Sequence, residues 1–201
     1  MKNNLLKLTL GVAMIAVLGT ACKKDNAETP DQKLALNEAK AVIPVNGTQA
    51  GQVTNTSASP TAWTAINYSL LNNATAPATT AQVKFESNFN GNITKLTGYS
   101  LGYYDSPSVT NVTGITLADI SSVSLGLSTL GSNSTTTVGW YNYNRTTRVI
   151  TPVAQRYAVV ANNASIAAAT AVYVVQLDAV TATGTTGPFT TTVDFHTKRL
   201  K

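Results

Sequence analysis

Three regimes of hydrophobic and polar positions follow one another along this chain. From Leu8 to Ala21 there is no charge, and the apolar heart, Leu8 to Leu18, stands behind a basic segment that carries Lys2 and Lys7. A membrane-spanning helix needs about 20 predominantly apolar residues, so this run is too short to stay in a bilayer and has the form of a signal-peptide core. Residues 22–60 are polar and poor in aromatics, and read as a tether. Inside it, Thr29-Pro30-Asp31-Gln32 offers an N-cap, a proline at the first helical position and a glutamine at the third, which predicts a short helix over 33–42, ending before Pro44. Gly47 to Pro60 is mostly Gly, Thr, Ser, Asn and Gln and is expected to be a flexible stalk.

From Ala62 the pattern alternates with period 2, as half-buried strands do. Thr64, Ile66, Tyr68 and Leu70 fall on one face of the first run, and Asn72-Asn73 breaks it. Further strands are predicted over 82–88, 93–104, 121–128, 135–143, 147–151, 156–161, 171–180 and 189–196. Asn90-Gly91, Ser106-Pro107, Gly131-Ser132-Asn133, Asn162-Asn163 and Gly184–Pro188 punctuate them. Tyr157–Ala161 and Ala171–Leu177 are nearly continuous apolar runs, which places both centrally with each face covered. In the last strand Phe189, Val193 and Phe195 are expected to point inward and Thr190, Thr192, Asp194 and His196 outward. The fold class is mainly β: one antiparallel, sandwich-like domain over 61–201, after a signal (1–21) and a tether (22–60).

Composition removes most chemistry. The 201 residues include one Cys and one His, so neither a disulfide nor a multi-histidine or cysteine-based metal site can be assembled within the chain. Only 11% of positions are charged and 43% are hydrophobic, so polarity comes from neutral side chains around a real core. Thr is β-branched and tolerates exposed strand positions, which accounts for its abundance without a functional role. Three cations, Lys198, Arg199 and Lys201, sit together near the C-terminus and are expected to form a solvated tail. No Arg/Lys stripe with interleaved aromatics occurs elsewhere, so the formal charge of +5 does not indicate nucleic acid as a partner.

Cys22 directly follows the small residues Gly19-Thr20-Ala21. This arrangement resembles a bacterial lipoprotein lipobox, although the leucine usual three places before the cysteine is here one place earlier, at Leu18. The resemblance implies cleavage before Cys22 and its lipidation. At about 0.8 kcal/mol per buried methylene, two or more acyl chains anchor a protein stably where one does not. Lys23-Lys24-Asp25 is similar to the charged export tag of surface lipoproteins in the Bacteroidota, which implies an outer-membrane, cell-surface location.

Gly98-Tyr99-Ser100-Leu101-Gly102 matches the G-x-S-x-G nucleophile elbow, with Asp178 and His196 following in the chain order of the α/β-hydrolases. That mechanism needs a strand, a sharp turn and a helix beneath a parallel sheet, whereas Tyr103-Tyr104-Asp105-Ser106-Pro107 reads as a strand end and a turn. Glu86, Asp105, Asp119, Asp178 and Asp194 are widely spaced and form no pair suited to glycoside hydrolysis. A single imidazole at His196 makes a poor metal site. No enzyme activity is expected.

The aromatic residues Tyr99, Tyr103, Tyr104, Trp140, Tyr141 and Tyr143 are either core or the lining of a groove for a flat apolar ligand or a sugar ring. The segments Gly139-Trp140-Tyr141-Asn142-Tyr143-Asn144, Val149-Ile150-Thr151-Pro152-Val153, Tyr157-Ala158-Val159-Val160 and Tyr173-Val174-Val175-Gln176-Leu177 resemble the C-terminal half of the HmuY family, haem-binding lipoproteins of the Bacteroidota with an all-β fold. The resemblance implies haem as ligand and an outer-membrane transporter as partner. Members of that family hold the iron with histidine pairs or methionine. Here the two methionines, Met1 and Met14, lie in the signal, and His196 lies outside the matching segments, so no family ligand carries over. Haem would then need a tyrosine (Tyr103, Tyr104, Tyr141 or Tyr143) or a hydrophobic slot. The other reading is a surface module that binds glycan or protein without haem.

Overall fold

The computed structural model describes residues 41–201; the signal, Cys22 and nearly all of the expected helix over 33–42 lie outside the described residues. Twelve strands follow: β1 (Thr48–Ser57), β2 (Ile66–Ser69), β3 (Ala74–Thr75), β4 (Val83–Glu86), β5 (Asn92–Lys95), β6 (Ser100–Asp105), β7 (Thr129–Ser132), β8 (Gly139–Asn144), β9 (Val149–Pro152), β10 (Arg156–Ala161), β11 (Val172–Thr183) and β12 (Phe189–Arg199). They form a five-stranded sheet, β1-β12-β11-β10-β6, and a seven-stranded sheet, β3-β2-β4-β5-β7-β8-β9. The strands pair antiparallel except β7 with β8. The fold is the expected mainly-β sandwich. No helix among the described residues is long and apolar enough to cross a membrane.

Alternation builds the core between the sheets. Phe195 of β12 stacks on Phe85 of β4 at 4.8 Å, and Tyr68 of β2 meets both rings edge-on. Edge-to-face and offset packing of this kind adds to the burial of each ring. The apolar runs of β10 and β11 are covered on both faces, as their sequence requires. Ala158, Val160, Tyr173 and Val175 join the core between the sheets. Tyr157, Val159, Val172 and Val174 join a second cluster, closed from outside by Val112, Ile115, Ile120 and Ile166.

The structure departs from the sequence pattern at four places. The expected stalk over 47–60 is in fact strand β1, paired with β12 over its full length. Its apolar signal is thin because one inward position is Gly51, where a Cβ would collide with the Phe195 ring. The expected strand over 93–104 is two strands in different sheets, broken where Gly98 takes φ +85°. Residues 121–128 form no strand beyond a bridge at Leu127; Val123 and Leu125 pack on the second cluster instead. The C-terminal cations are not a solvated tail. Lys198 is buried on β12 and donates to the Thr113 and Ile115 carbonyls at 2.6 and 2.7 Å, while Lys201 donates to the carbonyls of Ile166, Ala167 and Ala169.

Candidate functional site

A cleft of about 800 Å³ opens at the end of the sandwich beside Ser57 and Phe189, between β9 and the outer half of β11. Its aromatic lining comes from Trp63, Phe89, Tyr143 and Phe189, with Ile150 and Val180 beneath. Phe89 links the cluster: its ring lies 6.0 Å from that of Trp63 and 5.9 Å from that of Tyr143. Trp63 is set by its indole N–H, which donates to the Pro60 carbonyl at 2.9 Å.

Phe89 sits on strained backbone. Ser87, Phe89 and Asn90 have φ of 62°, 54° and 56°, in the left-handed region that residues with a Cβ avoid. Surrounding hydrogen bonds hold the strain. The buried Asn90 amide donates to the Thr64 and Phe85 carbonyls and accepts from Asn55, and the Thr191 hydroxyl donates to the Phe89 carbonyl at 2.7 Å. Strain of this kind costs on the order of 1–3 kcal/mol per residue, and its concentration under one ring of a cleft marks a constrained site.

On the β11 side, Asp178 is the extra residue of a bulge against β12, between Leu177 and Ala179. Its carboxylate meets His196 Nδ1 at 2.6 Å. Bulges bend and re-aim a strand. This one lies just past Gln176, the last β11 residue paired with β10, where β11 parts from its neighbour. On the β9 side, the Asn144 carboxamide oxygen accepts from the Thr146 and Thr147 amides and shapes the loop that leads to Arg148 at the cleft mouth.

The four tyrosines singled out in the sequence do not converge. Tyr103 is half-buried beneath Arg156, whose guanidinium lies 4.9 Å from the ring centre. Tyr104 faces the second cluster, on the other side of the five-stranded sheet. Tyr141 is fully buried and donates to the Asn92 carboxamide at 2.6 Å; burial pushes its hydroxyl up to about 12, against the opposing effect of the Asn88 amide. Tyr143 alone lines the cleft. Trp140 is also fully buried, with its indole N–H donating to the Gly91 carbonyl. Asp178 and His196 do meet, but Ser100 is far from both. It lies three strands away from β12 and four residues along from the row that holds His196, Gln176, Tyr157 and Tyr104. Ordinary sheet spacings make that separation roughly 20 Å, so no triad forms.

Trp63, Phe89 and Phe189 were not singled out as ligand-facing in the sequence. Asn90-Gly91 marked a turn, but nothing there shows that the turn carries Phe89 into a cleft. Among the described residues no three His, Cys, Asp or Glu side chains cluster as metal ligands would. Comparison with protein-family models, with curated proteins and with solved structures found no match to this chain.

Proposed function

We propose that the chain is a non-catalytic binding protein, held at the outer membrane by a lipidated Cys22, that captures an apolar ligand from outside the cell in the aromatic cleft. One observation carries this reading: the cleft lies at the end of β1 away from Thr48, where the chain leading from Cys22 joins the sheet. At about 3.4 Å per residue, β1 separates the two by roughly 30 Å. A tether at one end and an aromatic cleft at the other suit a protein that presents its site away from its anchor. Lining by rings with a few polar groups at the rim is the usual make-up of a site for a flat apolar ligand.

Haem or a related porphyrin is the second reading, and Tyr143 favours it. Tyr143 is the one of the four named tyrosines that lines the cleft, and Arg148 at the mouth suits a carboxylate. The fit is partial, because the lining residues include no histidine or methionine to oppose Tyr143. An outer-membrane transporter would then be the partner that takes the ligand onward.

The test uses residues 22–201 with a C22S change, titrated separately with an anilinonaphthalene dye and with haemin. Saturable dye binding that is lost in Trp63→Ala supports the cleft; haemin binding whose Soret band shifts in Tyr143→Phe supports the second reading. Absence of both rejects the proposal. In cells, C22S is expected to release the protein from the membrane fraction, and retention there would reject lipid anchoring.

A further inference from the structure

The charges that border the cleft do not cancel. Its lining holds one acid, Asp178, and one base, Arg148. The Asp178 carboxylate is engaged by His196 at 2.6 Å, and His196 is not part of the lining. Arg148 is exposed, and among the described residues it has neither an ion-pair nor a hydrogen-bond partner.

Nothing else in the described chain is placed to neutralise it. Every Asp and Glu from 41 to 201 is already held: Glu86 by Lys84, Asp105 by Arg156, Asp119 by Thr116, Asp178 by His196 and Asp194 by Gln52. The C-terminal cations are spent on backbone carbonyls. That leaves Lys95, at the end of β5, and two arginines, Arg145 and Arg148, both exposed on the loop from β8 to β9. Unneutralised positive charge therefore gathers at the mouth of an aromatic cleft. The loop holds its shape through Asn144, whose backbone pairs with Val149 and whose carboxamide accepts from Thr146 and Thr147. Arg148 closes this turn at φ 56°, a position that suits glycine or asparagine better.

We propose that the cleft selects a planar apolar molecule that bears a carboxylate, with its body among Trp63, Phe89 and Tyr143 and its carboxylate on the Arg148 guanidinium. This rests on the reading of the cleft as the binding site and names the chemical class of its ligand. The planar fork of a guanidinium matches a carboxylate, and hydrogen bonds between the two are charge-assisted. A neutral ligand gains nothing from Arg148, and a cation is repelled by it. Asp178, on the β11 wall, repels the carboxylate in turn, so the two charges also set the orientation: charged end toward the β8–β9 loop, apolar end toward β11. Arg145 adds to the positive field at the mouth and favours capture of anions. The selection needs no metal.

The experiment uses residues 22–201 with C22S, titrated at neutral pH with pyrenebutyrate, its methyl ester and pyrenebutylamine, and read by pyrene anisotropy. Expected is saturable binding of the acid, about tenfold tighter than that of the ester, with the amine weakest. The preference should shrink with added salt, because the screening length falls from about 30 Å at 0.01 M to about 3 Å at 1 M. Arg148→Asn fits the turn and removes the charge; it should bring the acid down to the affinity of the ester and leave the ester unchanged. Arg148→Lys should keep part of the preference. Equal affinity for acid and ester, or a preference that survives Arg148→Asn, would overturn the proposal. So would binding to anionic lipid vesicles without uptake of pyrenebutyrate, which would assign the arginines to a membrane surface. If acid and ester bind alike and Trp63→Ala abolishes both, the cleft reading stands and carboxylate selection fails. If none of the three probes binds, both fail.

Discussion

Phe89 shows at the scale of one residue how a local cost and a site coincide. A phenylalanine at φ 54° is worse placed than asparagine, whose short polar side chain tolerates that region, or glycine, which has no Cβ. Phe89→Asn is therefore expected to retain more stability than Phe89→Ala, by about 1 kcal/mol, because it relieves strain that alanine keeps. Both are expected to lose dye binding in the cleft, since both remove the ring between Trp63 and Tyr143. Urea unfolding beside dye titration checks this, and equal stabilities for the two variants would refute the strain argument. Tyr141 gives a pH dependence with a definite sign. Its hydroxyl is buried and pushed up to about 12 from 10.0, so the folded chain holds that proton more tightly than the unfolded one. The associated stability is fully present below pH 10 and is lost as pH rises through about 12. A shift of this size corresponds to about 2–3 kcal/mol. Tyr68 is raised further, again mainly by burial, and adds to the same trend. Tyr141→Phe should flatten part of the alkaline fall in urea midpoint, and an unchanged slope would show that burial does not hold the phenol neutral.

Strand pairing turns on residues whose importance is invisible in periodicity. Gly139 opens β8 and pairs with Gly131 in the parallel β7–β8 step. A Cβ on Gly139 would run into the backbone of Gly131, Ser132 and Asn133, none of which can swing aside. Gly139→Ala is expected to cost about 1–3 kcal/mol, as overpacking does, and to loosen β8 and β9 before the five-stranded sheet. Hydrogen exchange resolved along the chain distinguishes that order from uniform loss. Arg156 ties the same place together from the other sheet. It grips Asp105 through two nitrogens at 2.6 and 2.7 Å and donates to the Gly139 carbonyl at 2.8 Å. At this scale the sequence was legible where apolar residues alternate or run together, as in β10, β11 and β12. It was opaque where a strand's inward positions are small or polar. β1 hides behind Gly51 and Thr-Asn-Thr, and reads as a stalk although it pairs with β12 throughout. The cleft was harder still. Trp63, Phe89, Tyr143 and Val180 come from four separate stretches of chain, and only the bulge at Asp178 and the turn around Asn90 bring them together.

Among the described residues two apolar clusters share one sheet, and the C-terminal segment contributes to both. Phe195 and Val193 face the cluster between the sheets, while Leu200 closes the outer one under the 106–128 connection. Lys198 sits at that outer seam. Its ammonium crosses from β12 to the carbonyls of Thr113 and Ile115, and so fastens the connection with charge-assisted hydrogen bonds. Such bonds contribute about 1.5–3 kcal/mol, and removing the donor also leaves two carbonyls short of a partner. Lys198→Met keeps the apolar stem and removes the ammonium. It is expected to lose about 2–3 kcal/mol, with amides near Val112 and Ile115 exchanging faster while those of β2, β4 and β5 keep their protection. Lys95→Met, on half-buried surface away from the seam, serves as the comparison and is expected to stay within about 0.5 kcal/mol. Uniform loss of protection in Lys198→Met would mean that the two clusters unfold as one. Local loss confined to 106–128 would mean that the outer cover opens independently while the cleft, built from the other cluster and the distal strand ends, remains formed.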